Sequence, residues 1–412
     1  MIKYIGSKRR LVPVLRAMAE LVGARRALDL FTGTTRVAQA FKAAGAEVTA
    51  VDSTRCAEVL ARCYVATDAA GVDPGELERS LAELDALPGT AGYVTETFCV
   101  RSRFFQPHNG ERIDAIRQAI EDRYQGSPLH PVLLTSLIEA ADRVDSTTGL
   151  QMAFVKQWSP RSYARLTLRP PALLAGTGAA VRADACSVAG QLGTFDLAYL
   201  DPPYNQHRYE ANYHIWETLV AWDAPEHYGV ACKRVDLRSG QRSPFNRKAT
   251  FATALASVVE QVRARLLVLS YNDESWVGLD ELVELCSVRG DVAVLGFPSD
   301  RYVGARIGIH DPRGRRVGTP GRLRNVELLV VAGDAADVRR LVAPWRDRLV
   351  WPGRPGAAAG PAWPVAGAAA GPAGAVAAAA AGPDRPAAGG AAAVPGSGGT
   401  ALTAGRGAPR TS

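Results

Sequence analysis

Short apolar runs recur along this chain, and helical spacing separates them. Arg26–Phe31 (RALDLF) is such a run, Val37–Ala44 after it reads as helical, and Glu47–Asp52 (EVTAVD) is a second run. Phe195–Leu200 (FDLAYL), Leu266–Ser270 (LLVLS), Val292–Phe297 (VAVLGF) and Val326–Ala332 (VELLVVA) continue the series. Runs without polar alternation predict strands buried on both faces. Their alternation with helices predicts an α/β fold on a mostly parallel, doubly wound (Rossmann-like) sheet. Such sheets bind ligands beyond the carboxyl ends of their strands, near the point where strand order reverses.

The rhythm stops between Asp52 and about Val181. Ile113–Arg123 (IDAIRQAIEDR) and Leu133–Val144 (LLTSLIEAADRV) have helical periodicity there, so a mostly helical insertion is expected. The expected organisation is a discontinuous sheet domain over 1–56 and 179–350, a helical insertion over 57–178, and a tail over 353–412. That tail is almost entirely Ala, Gly and Pro, with four arginines and one aspartate. Chain of this kind cannot bury enough surface to offset the entropy of ordering, so it is expected to be disordered. Its arginines carry part of the +7 formal charge of the 412 residues, leaving a mildly basic remainder.

Several classes are excluded on these grounds. Met1–Arg10 (MIKYIGSKRR) runs into charge rather than an apolar core, so no signal peptide is expected. Ala366–Ala381 is built of alanine and broken by Gly and Pro, which is no membrane span. The cysteines (56, 63, 99, 186, 232 and 286) form neither a CxxC pair nor a Cys/His set with zinc spacing. A reduced, cytoplasmic, metal-free protein is the expectation.

Chemistry concentrates at strand ends. Asp201-Pro202-Pro203-Tyr204 follows the FDLAYL run directly. Two prolines remove two backbone donors and fix an extended turn. A carboxylate and outward carbonyls held there suit a planar amino group, with the Tyr ring against the attached base. The exocyclic amine of a nucleobase is a weak nucleophile, and acceptors on its N–H bonds bear the charge that develops as it reacts. Asp29-Leu30-Phe31-Thr32-Gly33-Thr34-Thr35 passes from a strand through glycine into a helix start, where backbone N–H groups can face a ligand carboxylate. Asp52 ends the next strand and can accept both hydroxyls of a ribose. GxGxxG is missing, so a nucleoside cofactor bearing a carboxylate, S-adenosylmethionine, fits better than a dinucleotide.

Taken in order, Lys3-Tyr4-Ile5-Gly6-Ser7-Lys8, DLFTGTT, Asp52 and Asp201-Pro202-Pro203-Tyr204 resemble the adenine-specific DNA methyltransferases of the Dam-like (alpha) arrangement. Weaker matches are Arg182-Ala183-Asp184, Ser270-Tyr271-Asn272, Arg324–Leu329, and Arg103-Phe104-Phe105 through Arg117. The resemblance covers nearly all of residues 1–335. It implies cofactor contacts from Tyr4, Lys8, Phe31, Gly33, Asp52 (ribose) and Asp184 (adenine). Asp201 and the Pro202 carbonyl would accept from the target amine while Tyr204 stacks on the base. Thr35 stands where the family often has a second Gly or Ser, which narrows the turn. The activity implied is methyl transfer from S-adenosylmethionine to N6 of an adenine flipped out of double-stranded DNA, by a monomer whose helical insertion recognises the target. A cognate restriction enzyme is a companion that the sequence leaves open. An RNA amino-methyltransferase and a DNA-binding relative without activity are the alternatives.

Basic and aromatic residues elsewhere fit DNA as well. Arg101, Arg103, Phe104, Phe105, Gln106 and Asn109 cluster in the insertion, Asn205–Tyr213 follows the Pro-Pro turn, and Arg242–Lys248 follows later. Arg101, Arg103, Asn205, Arg247 and Lys248 are the candidates for phosphate or base contact. His207, His214 and Asn212 receive no role, because methyl transfer from a sulfonium needs neither a histidine base nor a metal.

Overall fold

The computed structural model describes residues 2–3, 8–204, 206, 208–239, 243–273, 275–300, 309–310, 316–318 and 324–351. Its centre is an eight-stranded sheet. The strands in chain order are β1 (Arg26–Asp29), β2 (Glu47–Asp52), β3 (Gly178–Arg182), β4 (Thr194–Leu200), β5 (His227–Tyr228), β6 (Lys233–Arg234), β7 (Arg263–Asn272), β8 (Asp291–Asp300), β9 (Ile309–His310), β10 (Arg316–Gly318), β11 (Arg324–Gly333) and β12 (Leu349–Trp351). The sheet order is β12-β8-β11-β7-β4-β1-β2-β3, while β5-β6 and β9-β10 are separate two-stranded ribbons. From β3 to β7 all pairings are parallel; β11 runs antiparallel between β7 and β8, and β12 pairs antiparallel with β8.

Burial explains the apolar runs. In β4, Leu197 and Tyr199 point to one face and join α1 (Val12–Val22), α2 (Arg36–Ala43) and the helix Ala335–Val342 in one cluster. Ala198 and Leu200 point to the other face, against helices Lys248–Gln261 and Leu279–Ser287. Both faces exclude water, and each fully buried Leu or Phe contributes about 1.5–3 kcal/mol, so Leu197–Leu200 carry no charge, while Asp196 near the strand start accepts from the N–H groups of Arg25 (2.8 Å) and Arg26 (3.0 Å). The edge strand β3 has no such signal. It is Gly-Ala-Ala-Val-Arg and only half-buried, and sequence reasoning passed over it. Gly178 opens it because a Cβ there would lie 2.7 Å from the Val48 carbonyl oxygen and 2.9 Å from that of Val65.

Between β2 and β3 the chain is helical. α3 (Arg55–Ala61) runs into a π-helical turn over Arg62–Ala66, followed by α4 (Pro74–Asp85), a second π turn over Thr95–Arg101, α5 (Pro107–Tyr124) and α6 (His130–Val144). These elements share a core of their own, and Tyr213, Ile215, Trp216 and Leu219 from beyond β4 complete it. Buried Asp114 fixes the second turn by accepting from the N–H groups of Gly92 (2.9 Å), Val94 (2.9 Å) and Thr95 (2.8 Å) and from the Thr95 hydroxyl (2.7 Å). Lys42 of α2 is buried and donates to the carbonyls of Val65 (2.9 Å) and Thr67 (2.7 Å), pinning the first turn to the sheet domain. Among the described residues no helix is long and apolar enough to cross a membrane. The expected disorder of 353–412 lies outside the described residues.

Candidate active site

Parallel strands bring their carboxyl ends to one edge of the sheet, where Asp52, Asp184 and Asp201, the acids given site roles from sequence, meet Asp29, which was given none. Asp29, Asp52, Asp184 and Asp201 line one pocket together with Phe31, Gly33 and Lys8. Arg36, Tyr199, Pro203, Ser243, Phe245 and Asn246 share its wall; Pro203 and the last three lie in stretches noted in the sequence, but none of the six was given a cofactor role. Of these, Phe245 packs edge-on against Phe31, with ring centroids 5.1 Å apart. It lies inside the basic Arg242–Lys248 stretch, which the sequence assigned to DNA rather than to the cofactor wall.

The turn after β1 is held by two carboxylates. Asp52 accepts from the Gly33 N–H through Oδ2 (2.9 Å) and from the Thr54 N–H and hydroxyl through Oδ1 (2.9 Å each). Asp29 accepts from the Thr32 hydroxyl (2.9 Å) and the Ala38 N–H (3.0 Å) through Oδ2, which fixes the start of α2. Gly33 has φ 49°, and Thr35 adopts φ 63°, a left-handed conformation unusual for a β-branched residue. Thr35 is fully buried; its N–H donates to the Thr32 carbonyl (2.7 Å) and its hydroxyl accepts from Gln39 (2.8 Å). The narrowing expected at Thr35 thus takes the form of a strained, bonded corner.

Burial raises the Asp52 pKa, opposed by its hydrogen bonds. Burial pushes Asp29 up to about 7, against its bonds from Thr32 and Ala38 and with added repulsion from Asp201 and Asp52. Among the buried polar atoms of the wall without a hydrogen-bond partner, Asp29 Oδ1 and Arg36 Nε are the charged ones, beside the Tyr199 hydroxyl. One is acidic and the other cationic. A ligand with an ammonium and a carboxylate on one carbon satisfies both, which is the amino-acid end of S-adenosylmethionine. The donor set therefore fits that cofactor.

Asp201 stands where β4 ends. Burial pushes its carboxyl up to about 6; the Lys8 ammonium pulls it down and Glu327 pushes it up. Lys8 is buried and lies 3.1 Å from Asp201 Oδ1 and 3.1 Å from Glu327 Oε2. Burial disfavours its charge, but Asp201, Tyr204 and Glu327 outweigh that and hold its pKa well above the ordinary lysine value. The Tyr204 ring lies edge-on to Tyr271 at 5.6 Å, with the Lys8 ammonium 5.7 Å from its centroid. Asp184 caps the helix Ala185–Val188 by accepting from the Cys186 N–H (2.9 Å). Pro202 is buried in the turn itself.

The predicted nucleic-acid residues are scattered. Arg101 is exposed and paired with Glu96 at 2.9 Å. Arg103 stacks over the Trp158 ring at 4.7 Å and donates to the Lys156 carbonyl (2.8 Å). Arg247 and Lys248 are exposed at the start of the helix Lys248–Gln261. The grouping of Phe104, Phe105 and Asn109 with these arginines is corrected by the structure. Both rings are core residues, and Asn109 is buried, bonding the carbonyls of Ser162 and Ala164 and the N–H of Leu166. His214 is likewise a packing residue, its Nε2 against the Gln151 carbonyl at 3.0 Å. Tyr4, Asn205 and His207 lie outside the described residues.

A pocket of paired acids at the carboxyl edge of a mostly parallel sheet, beside a proline-fixed acceptor turn, defines a group-transfer enzyme of the α/β methyltransferase class. Comparison with known proteins narrows the class. Residues 4–283 match the family described as D12 class N6 adenine-specific DNA methyltransferase. The chain is 30% identical over 297 residues to the type II methyltransferase M.NlaIII of Neisseria lactamica, covering 68% of this chain and 86% of that one. It is 31% identical over 210 residues to M.CviAII of Paramecium bursaria Chlorella virus 1 (50% of this chain, 62% of that one). Against the modification methylase StsI of Streptococcus sanguinis it is 28% identical over 323 residues, covering 73% of this chain and 48% of that one. The chain belongs to the D12 class N6 adenine-specific DNA methyltransferases. Its reaction is transfer of a methyl group from S-adenosylmethionine to adenine N6 in DNA, as the Pro-Pro turn and the pocket lead one to expect.

Proposed function

We propose that Asp201 and the Pro202 carbonyl hold the N6 amine of an adenine flipped out of duplex DNA, with Tyr204 stacked on the base. The observation that carries this is the position of Asp201, in the same pocket as Asp52 and Asp184 and fixed by two prolines. Bound S-adenosylmethionine supplies an electrophilic methyl group on a positively charged sulfur. Asp52 takes the ribose hydroxyls, Asp184 the adenine edge and Phe31 its ring, while Gly33 leaves room for the chain to turn. Arg36 and Asp29 take the carboxylate and ammonium of the amino-acid end, beside any contact from Tyr4 and Lys8. The protein's part in the reaction is orientation and polarisation. Acceptors on the amine hydrogens push density onto N6 and stabilise the cation that forms there. Flipping is required because the amine is otherwise occupied in base pairing.

Target recognition falls to the helical insertion, with Arg101, Arg103, Asn205, Arg247 and Lys248 meeting the DNA backbone or base edges. The enzyme acts as a cytoplasmic monomer, consistent with its free cysteines, and a cognate restriction enzyme is its companion, in keeping with the relatives' names. Flipping is tested by placing 2-aminopurine at the target adenine of a cognate duplex. Fluorescence should rise sharply when protein and cofactor bind, as the base leaves the stack. Unchanged fluorescence on a 2-aminopurine duplex that the protein binds, while the adenine duplex of the same sequence is methylated, contradicts the flipped-base reading.

A further inference from the structure

Lys8 poses an electrostatic problem at the centre of this site. Its ammonium lies 3.1 Å from Asp201 Oδ1, the carboxylate that must accept from the target amine. A lone Lys–Asp pair would be neutral. It would offer little to an amine that becomes cationic, and the ammonium would compete for the same oxygen. The structure supplies a second carboxylate. Glu327 Oε2 lies 3.1 Å from the same ammonium, and its Oε1 accepts from Asn272 Nδ2 at 3.1 Å. The topology makes this possible, since β11 runs antiparallel to β7 and places Glu327 directly opposite Asn272, at the edge where β4 ends. The side chains are largely shielded, Lys8 at 7% exposure, Glu327 at 18% and Asp201 at 20%.

We propose that Glu327, braced by Asn272, is a positioning residue for methyl transfer that draws Lys8 partly away from Asp201 and leaves the trio with one net negative charge facing the target amine. This rests on the reading of Asp201 as the amine's acceptor. Two carboxylates and one ammonium sum to a single negative charge, placed where positive charge develops on N6, in a site where water screens poorly. Neither Glu327 nor Asn272 touches the reacting atoms. Their influence passes through Lys8, and its signature is electrostatic.

The test compares Glu327→Gln, Glu327→Asp and Asn272→Ala with the parent, measuring kcat, cofactor affinity and the pH profile of kcat. Glu327→Gln should lower kcat by roughly ten- to a hundredfold, the scale of a displaced catalytic group, while cofactor affinity stays near the parent's. Its acid limb should move to lower pH, because a negative neighbour that opposes ionisation of Asp201 is gone. Glu327→Asp keeps the charge, should recover part of kcat, and should leave the limb in place. Asn272→Ala should lower kcat less than Glu327→Gln without moving the limb. If Glu327→Gln does not fold, Glu327→Ala, which removes the same charge, is read in its place. Among the described residues, the other groups facing Asp201 are Lys8, Asp29 of β1, Tyr199 of β4, and Tyr204 and Tyr209 beyond it. Asp29 titrates in the same range, so the shift between variants is read rather than the absolute position. Parental kcat in Glu327→Gln overturns the proposal, as does a lost kcat with an unmoved limb, which marks a merely structural residue. If Asp201→Asn is inactive in the same assay while Glu327→Gln is parental, this inference alone fails. If Asp201→Asn is active, the reading beneath it fails.

Discussion

Asp52→Asn separates the two duties that the structure gives this carboxylate. Its oxygens accept three hydrogen bonds from the protein, one from Gly33 and two from Thr54, and the proposed ribose contact adds more. An amide has one accepting oxygen. If that oxygen serves Thr54, the amide nitrogen faces the Gly33 N–H, donor against donor, and the turn loosens. A hydrogen bond to a charged group contributes about 1.5–3 kcal/mol, so cofactor Kd should rise roughly ten- to a hundredfold. Because a ribose contact is the same in ground and transition states, kcat at saturating cofactor should change only a few-fold. Thr54→Val is the matched control. It removes the hydroxyl that caps α3 through the Ala57 N–H (3.3 Å), costing about 1 kcal/mol of stability, yet keeps the Asp52 charge and the Gly33 bond. Calorimetric titration with S-adenosylmethionine, paired with thermal melts, reads both effects. A folded Asp52→Asn protein that binds cofactor as tightly as the parent refutes the assignment of Asp52 to the pocket.

Other expectations follow from single features. The kcat/KM profile should fall as pH drops through about 6, because Asp201 is held near that value and a protonated carboxyl no longer offers both oxygens; a flat profile between pH 5 and 8 contradicts this. Asp114→Asn should destabilise by about 2–3 kcal/mol in denaturant melts, since one amide cannot accept from the four donors around the Thr95–Arg101 turn. Arg101→Ala should weaken DNA binding uniformly across sequences and reduce the salt slope by about 1. Arg103→Ala should also loosen the Lys156–Trp158 segment it braces, and unchanged binding by both variants across a salt titration moves the interface elsewhere.

Much of this architecture was legible because the same physics writes strands into sequence and buries them in the sheet. FDLAYL, LLVLS and VELLVVA are predominantly apolar because both faces of β4, β7 and β11 are covered, with Asp196 and Glu327 lying toward the strand starts. Direction was not legible: β11, which runs against both β7 and β8, has the same apolar character as the parallel strands, since pairing direction leaves little mark on doubly buried residues. The half-buried edge strand β3 left almost none. At the site, Asp52, Asp184 and Asp201 could be read because each sits at or just beyond the end of a strand, whereas Asp29, inside its apolar run, was given no role. Lys8 pairing with both Asp201 and Glu327 could not, since it joins residues far apart in the chain through an antiparallel register. Phe104, Phe105 and Asn109 misled for the opposite reason. Letters that cluster in sequence say nothing about which side of a turn faces the core, and here the core holds all three.

The central claim is that Asp201 accepts from the adenine amine in the transition state. Its most direct test is the yield of N6-methyladenine, by mass spectrometry of nucleosides, from duplex DNA incubated with S-adenosylmethionine and either the parent or Asp201→Asn. The parent should place the methyl group on N6. Asp201→Asn should bind the cofactor with near-parental affinity yet methylate at least about a hundredfold more slowly, the scale for losing a principal transition-state partner. Near-parental turnover by Asp201→Asn, or a methyl group found on another base atom, contradicts the account.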